Sequence, residues 1–206
     1  MAQQSDEVAV RELMPTDLAD LYVPIHKDVL SHHAKWKIYR QLYAESEESI
    51  QLLGRTAGLL FRYFQDLLFY DSLLTFSKLT EGGKRASLRR LVDILEKHVE
   101  PEFCEEVTAD LDEIVEKCKP FKKWRNKAIA HKDLAFFVGS SPKKLPSVNR
   151  KMIEDTNEKI GEILNKIRTK FGVNFTLITP VMTGDGRAVI STLKMAKKTD
   201  PWLQTS

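Results

Sequence analysis

At 206 residues, 42% hydrophobic and 30% charged, the chain has the length of one domain and enough apolar material for a sizeable core, which excludes collagen-like, low-complexity and wholly disordered classes. No run reaches about 18 uncharged apolar residues, since the greasiest, Leu59 to Tyr70, is broken by Arg62, Gln65 and Asp66, so no membrane-spanning helix is expected. The polar, acidic start through Glu7 has no secretory character, and Cys104 and Cys118 alone make no disulfide framework; reduced thiols in a cytoplasmic protein are expected.

Helical periodicity then dominates. Leu18, Leu21, Tyr22, Ile25, Val29, Trp36 and Tyr43 hold roughly one face of a first helix, with Pro24 a point where it can bend or break. Ser46 opens a long second helix whose apolar residues run from Ile50 through Leu59, Phe64 and Leu68 to Leu79, and Gly82-Gly83 ends it. Its aromatic residues Phe61, Tyr63, Phe64, Phe69, Tyr70 and Phe76 are expected in the core. A shorter helix spans about Ser87 to Val99, and Pro101 starts another on which Phe103, Val107, Leu111, Ile114 (or Val115) and Cys118 recur at steps of three and four. Pro120 interrupts it, and Phe121 to His131 reads as a further helical segment. Beyond the Gly139–Pro146 loop, Ile153, Ile160, Ile163, Leu164, Ile167 and Phe171 form the cleanest amphipathic helix, stopped by Gly172. Val173–Met182 and Arg187–Met195 then read as two strands about a Thr183-Gly-Asp-Gly turn. The expected architecture is all-α: an antiparallel bundle of four to five helices over residues 1–172, with a small C-terminal β-hairpin and tail over 173–206.

The net charge of +3 hides a division. Asp93 to Glu116 carries ten acidic residues against one basic, whereas Lys117 to Lys144 carries nine basic against one acidic. A basic stretch can pair with the acidic run before it, or it can meet a polyanion such as RNA with salt-sensitive affinity.

Glycine patterns here lack the Lys-Ser/Thr of a phosphate-cradling loop, and His26, His32 and His33 are not spaced as metal ligands; no metal and no cofactor is expected. One constellation carries chemistry: Trp124-Arg125-Asn126-Lys127-Ala-Ile-Ala-His131-Lys132-Asp133. An arginine fork fits phosphate oxygens, a histidine moves protons near neutral pH, and an asparagine can hold a hydroxyl, a water or the imidazole in place. Those are the parts of metal-free RNA cleavage, in which the imidazole serves the ribose 2′-hydroxyl or the leaving 5′-oxygen and the guanidinium balances charge on the phosphorane. An arginine so close before a histidine is expected about once by chance in this composition, so the context carries the argument.

That context resembles a HEPN domain, in its abortive-infection AbiU-like branch. The likeness rests on Arg125 with a polar residue after it, the Ala130-His131-Lys132-Asp133 ending, the approach Lys119-Pro-Phe-Lys122-Lys123-Trp124, the segment Asp71 to Thr80, and Ser87-Leu-Arg-Arg-Leu91; it spans roughly Leu18 to Phe171. It implies a helical bundle, RNA cleavage without a metal and a site shared by two subunits. By position, Arg125 and His131 would be the catalytic pair with Asn126 their polar helper. Lys122, Lys123, Lys127 and Lys132 would bind substrate, and Asp71, Lys78 and Asp133 would support the site from behind. No nucleotidyltransferase pattern is present, so an antitoxin would be a separate protein.

Helix geometry bears on the shared site. On one α-helix Arg125 and His131 would lie about 120° apart in azimuth and about 9 Å apart along the axis. Either the helix ends before His131, or two copies face each other and form a homodimer with a composite site. The expected function is an RNA endonuclease of phage defence or a toxin–antitoxin pair. The alternatives are a non-catalytic helical dimer that binds nucleic acid or protein through Lys117 to Lys144, and a purely structural dimer with Arg125 paired to the acidic run.

Overall fold

The computed structural model describes residues 2–83, 85–129, 145–173 and 184–199. Their regular structure is helical: α1 (Ala2–Leu13), α2 (Thr16–Tyr43), α3 (Glu47–Leu79), α4 (Leu88–Leu95), α5 (Pro101–Lys117), α6 (Lys119–Trp124), a π-helical segment (Arg125–Ile129), α7 (Arg150–Lys170) and α8 (Gly186–Thr199). Two compact units share these elements: Met1–Leu30 with Leu73–Ile178, and Ser31–Ser72 with Thr179–Ser206. α2 and α3 contribute residues to both.

In the first unit, local chemistry sets the helix ends. Ser87 caps α4, its hydroxyl accepting from the Arg90 amide at 3.3 Å, and Leu88, Leu91, Val92 and Leu95 are all buried on one face. Pro101 opens α5, where the missing amide proton costs nothing, and Cys104, Val107, Leu111 and Ile114 point inward; of the two candidates at that turn, Ile114 is the buried one. Cys104 and Cys118 are both buried free thiols, and burial pushes the Cys118 thiol up to about 12, so it packs as a small hydrophobe. Asn149 caps α7, against which α5 packs. Gly172 ends it with φ +76°, and the amides of Gly172 and Val173 return to the carbonyls of Thr169 and Arg168 at 3.0 Å each, a Schellman closure that favours glycine. The acidic run is largely neutralised by neighbours: Lys166 reaches Glu106 and Asp110, Lys170 reaches Glu100, and Arg89 reaches Asp112. Pro24 does not break α2: it lies on an exposed face, where water can donate to the Asp20 carbonyl that proline leaves without an amide partner.

The second unit departs from expectation twice. The helix α3 bends at Ala57, whose φ/ψ of −156°/61° lies outside the helical range, between Gly54 and Gly58. Its aromatic residues are not all core. Tyr63 is 61% exposed, along with Leu59 at 70%, Leu60 at 64%, and Leu67 at 64%; Phe76, in the first unit, is buried. The sequence is apolar around most of α3, and a helix can present only one side to its own core. The C-terminal hairpin is also not observed: there is no strand among the described residues, and Arg187–Met195 lies within α8. Of the expected first strand, Val173–Met182, all but Val173 lies outside the described residues. Gly184-Asp185-Gly186 acts as a helix start, because aspartate serves a cap as well as a turn. Asp185 accepts from the Arg187 and Ala188 amides at 3.1 and 3.4 Å. Gly186 then meets α2 closely, its amide donating to Gln41 Oε1 at 3.0 Å.

Candidate active site

The motif begins where the α-helix changes pitch. α6 delivers Phe121 into the core, where it is fully buried and 5.5 Å from the Phe76 ring. At Arg125 the backbone passes into the π-helical segment. Such wider turns occur mostly as single insertions, often at functional sites. The α-helical azimuth worked out from sequence therefore does not apply between Arg125 and Ile129.

Three side chains tie this segment down. The Lys122 ammonium donates to the Thr80 carbonyl at 2.9 Å, and burial holds its pKa below the usual lysine range. The Trp124 indole donates to the Pro146 carbonyl at 2.9 Å. Arg125 donates from Nε to Asn126 Oδ1 at 2.9 Å and from Nη1 to Glu81 Oε1 at 3.2 Å. With five N–H donors in a planar fork, the guanidinium keeps donors for a phosphate while these two contacts fix its plane. Arg125 is 21% exposed and Glu81 33%, so both groups are partly accessible to solvent.

The other expected residues are distributed as follows. Asn126 is exposed and touches Arg125. Lys123 is exposed and Lys127 half-buried on the same segment. Lys78 belongs to the first unit and bonds Asp28 at 2.5 Å. Asp71 belongs to the second, where it bonds Lys35 at 2.9 Å and lies 3.8 Å from His32; these neighbours hold its carboxyl below the usual range. His131, Lys132 and Asp133 lie outside the described residues. Glu81 is the contact that sequence reasoning missed: one carboxylate beside Gly82-Gly83, 44 residues before its partner, carries no local signal. Within the chain, Arg125 pairs with Glu81 and not with the acidic run from Asp93 to Glu116.

A family model described as HEPN_AbiU2 (AbiU2) matches residues 15–174. The chain belongs to the HEPN AbiU2 family. No curated protein and no solved structure matches it. Membership supports a nuclease-like or abortive-infection role, in a superfamily that generally includes ribonucleases and whose domains often dimerise. The matched range takes in the π-helical segment and its contacts at Thr80, Glu81 and Pro146. Among the described residues, no helix is long and apolar enough to cross a membrane, and no three His, Cys, Asp or Glu side chains cluster as a metal site requires. What this HEPN AbiU2 chain does offer is an oriented guanidinium beside an amide side chain, suited to a phosphodiester.

Proposed function

We propose that this protein is a metal-independent RNA endonuclease of the HEPN type, acting in the cytoplasm in phage defence by abortive infection or as the toxin of a toxin–antitoxin pair whose antitoxin is a separate chain. The observation that carries the reading is the Arg125 guanidinium, aligned by Asn126 and Glu81 at the start of a π turn. In this mechanism the guanidinium binds the non-bridging oxygens and offsets charge as the phosphorane forms. The His131 imidazole of one subunit or its partner takes the 2′-hydroxyl proton. The 2′-oxygen attacks phosphorus, the bond to the 5′-oxygen breaks, and that oxygen takes a proton from a His131 imidazolium, giving a 2′,3′-cyclic phosphate and a 5′-hydroxyl. Lys123, Lys127 and Lys132 guide the flanking phosphates.

A homodimer is part of this reading. The exposed apolar stripe of α3 supports it, because Leu59, Leu60, Tyr63 and Leu67 form one contiguous patch of a kind that marks interaction surfaces. Arg62 and Asp66 flank that patch, so two antiparallel copies crossing near Phe64 would set each arginine against the other copy's aspartate. The rival reading, a non-catalytic dimer binding through Lys117 to Lys144, has less support: Lys117 and Lys119 are tied to Glu113 and Glu116. The test is cleavage of a labelled RNA in EDTA by the parent and by Arg125→Ala and His131→Ala. Loss of cleavage in both folded variants, with cyclic-phosphate ends from the parent, supports the proposal; parental rates in either end it.

A further inference from the structure

The described part of the basic stretch is heavily engaged. Lys117, Lys119 and Arg125 pair with carboxylates, and Lys122 is bound to a backbone carbonyl. A second cationic face lies in the other unit and was not singled out from sequence. On α8, Lys194, Lys197 and Lys198 stand at i, i+3 and i+4, so their side chains share one face. On α3, Glu48, Gln51 and Arg55 share a face at i, i+3 and i+7. The two rows line one cleft of about 440 Å³, a size suited to a nucleotide-scale ligand.

Its electrostatics point to an anion. Lys194 is bonded to Glu48, the one carboxylate of the lining, at 2.8 Å, and Arg55 and Lys197 add positive charge beside that pair. Lys197 and Lys198 suit the negative end of the α8 dipole, but that does not account for Arg55, which enters from a different helix. Gathering like charges around a concave surface costs free energy that an anionic ligand offsets. The lining supplies a planar fork, ammonium points and the Gln51 amide, with Leu52 as its one hydrophobic side chain. This is the inventory for a sugar–phosphate backbone.

We propose that the α3–α8 cleft, through Arg55, Lys194, Lys197 and Lys198, binds the phosphodiester backbone of single-stranded RNA at a point separate from the Arg125 segment. The inference rests on the reading that RNA is the substrate, and it deepens that reading: one contact tracks the strand, another cleaves it.

The experiment is fluorescence anisotropy of the full chain with a short 2′-O-methyl RNA, which binds but cannot be cleaved because the attacking hydroxyl is blocked. Salt is varied around 0.1 M. Arg55→Gln/Lys197→Gln should weaken binding roughly tenfold and reduce the slope of log K against log salt by about 1.4, since each single-strand phosphate contact contributes about 0.7. Glu48→Gln should tighten binding several-fold, a gain that misfolding cannot mimic. An unchanged affinity and slope in the double variant would overturn the proposal even if the parent cleaves RNA. So would a parent that binds no RNA, or equal competition by polyglutamate or inorganic phosphate at matched charge. A parent that binds through this cleft but never cleaves would overturn the nuclease reading and leave this one standing.

Discussion

Removing the charge of Glu81 while keeping its shape separates two things its carboxylate does to Arg125. At 3.2 Å the attraction between unit charges is about 1.3 kcal/mol in bulk water and about 5 kcal/mol at an effective dielectric near 20. Both groups are partly exposed, at 21% and 33%, so screening and side-chain entropy bring the net contribution towards the low end, about 1 kcal/mol. Glu81→Gln keeps an oxygen that can accept from Nη1, so the guanidinium stays aligned, but it removes the negative charge that competes with an incoming phosphate. The expected result is KM lowered about fivefold, the equivalent of 1 kcal/mol, with kcat within a factor of two and stability reduced by about 1 kcal/mol. Glu81→Ala removes alignment as well, and its kcat should fall at least about tenfold through misplacement of the guanidinium. Steady-state cleavage of a fluorogenic RNA at fixed ionic strength reads both constants. If Glu81→Gln leaves KM at the parental value, the carboxylate lies outside the substrate's field and the pair holds only the fold.

Three further outcomes follow from packing and titration. Leu67→Glu, at a position 64% exposed, should convert a dimer to a monomer in analytical ultracentrifugation with Tm changed by no more than about 2 °C; a dimer that persists assigns the stripe no part in self-association. Gly186→Ala places a Cβ 2.9 Å from Gln41 Cβ and 3.1 Å from the Ile38 carbonyl oxygen, so urea unfolding should show a loss of about 1–3 kcal/mol from overpacking, and a neutral result would mean that α8 docks elsewhere. Burial lowers the pKa of both His26 and His32, so each is neutral in the fold and takes up a proton on unfolding below its unfolded value near 6.5. Stability is therefore full above pH 6.5 and should decline as pH falls below it, by up to about 1.4 kcal/mol per pH unit for each histidine; His26→Gln and His32→Gln should each flatten that decline, and a profile identical to the parent's contradicts burial of the neutral ring.

Where one residue type has one physical use, sequence and structure agree. Ser87 before Leu88, Pro101 at a first turn and Gly172 past Phe171 mark helix ends because cap, missing amide and left-handed backbone leave few alternatives. The reading fails where a pattern has two uses. Gly184-Asp185-Gly186 suits a hairpin turn and also a helix N-terminus, and the choice fell to the docking of Gly186 against Gln41, a contact 145 positions away. The α3 aromatics look like core because hydrophobicity does not reveal which side of a helix lacks a neighbour. The Arg125 segment was legible as residue types, but its π geometry and its pairing with Glu81 depend on long-range contacts that local sequence does not encode.

The bond from the Trp124 indole to the Pro146 carbonyl has a practical consequence. It places a natural fluorophore one residue from the guanidinium and fixes its ring against a chain segment distant in sequence. Emission from this indole should report when a nucleotide occupies the neighbouring surface, without any attached dye, and substitution of Trp36 and Trp202 by phenylalanine would leave it as the sole emitter.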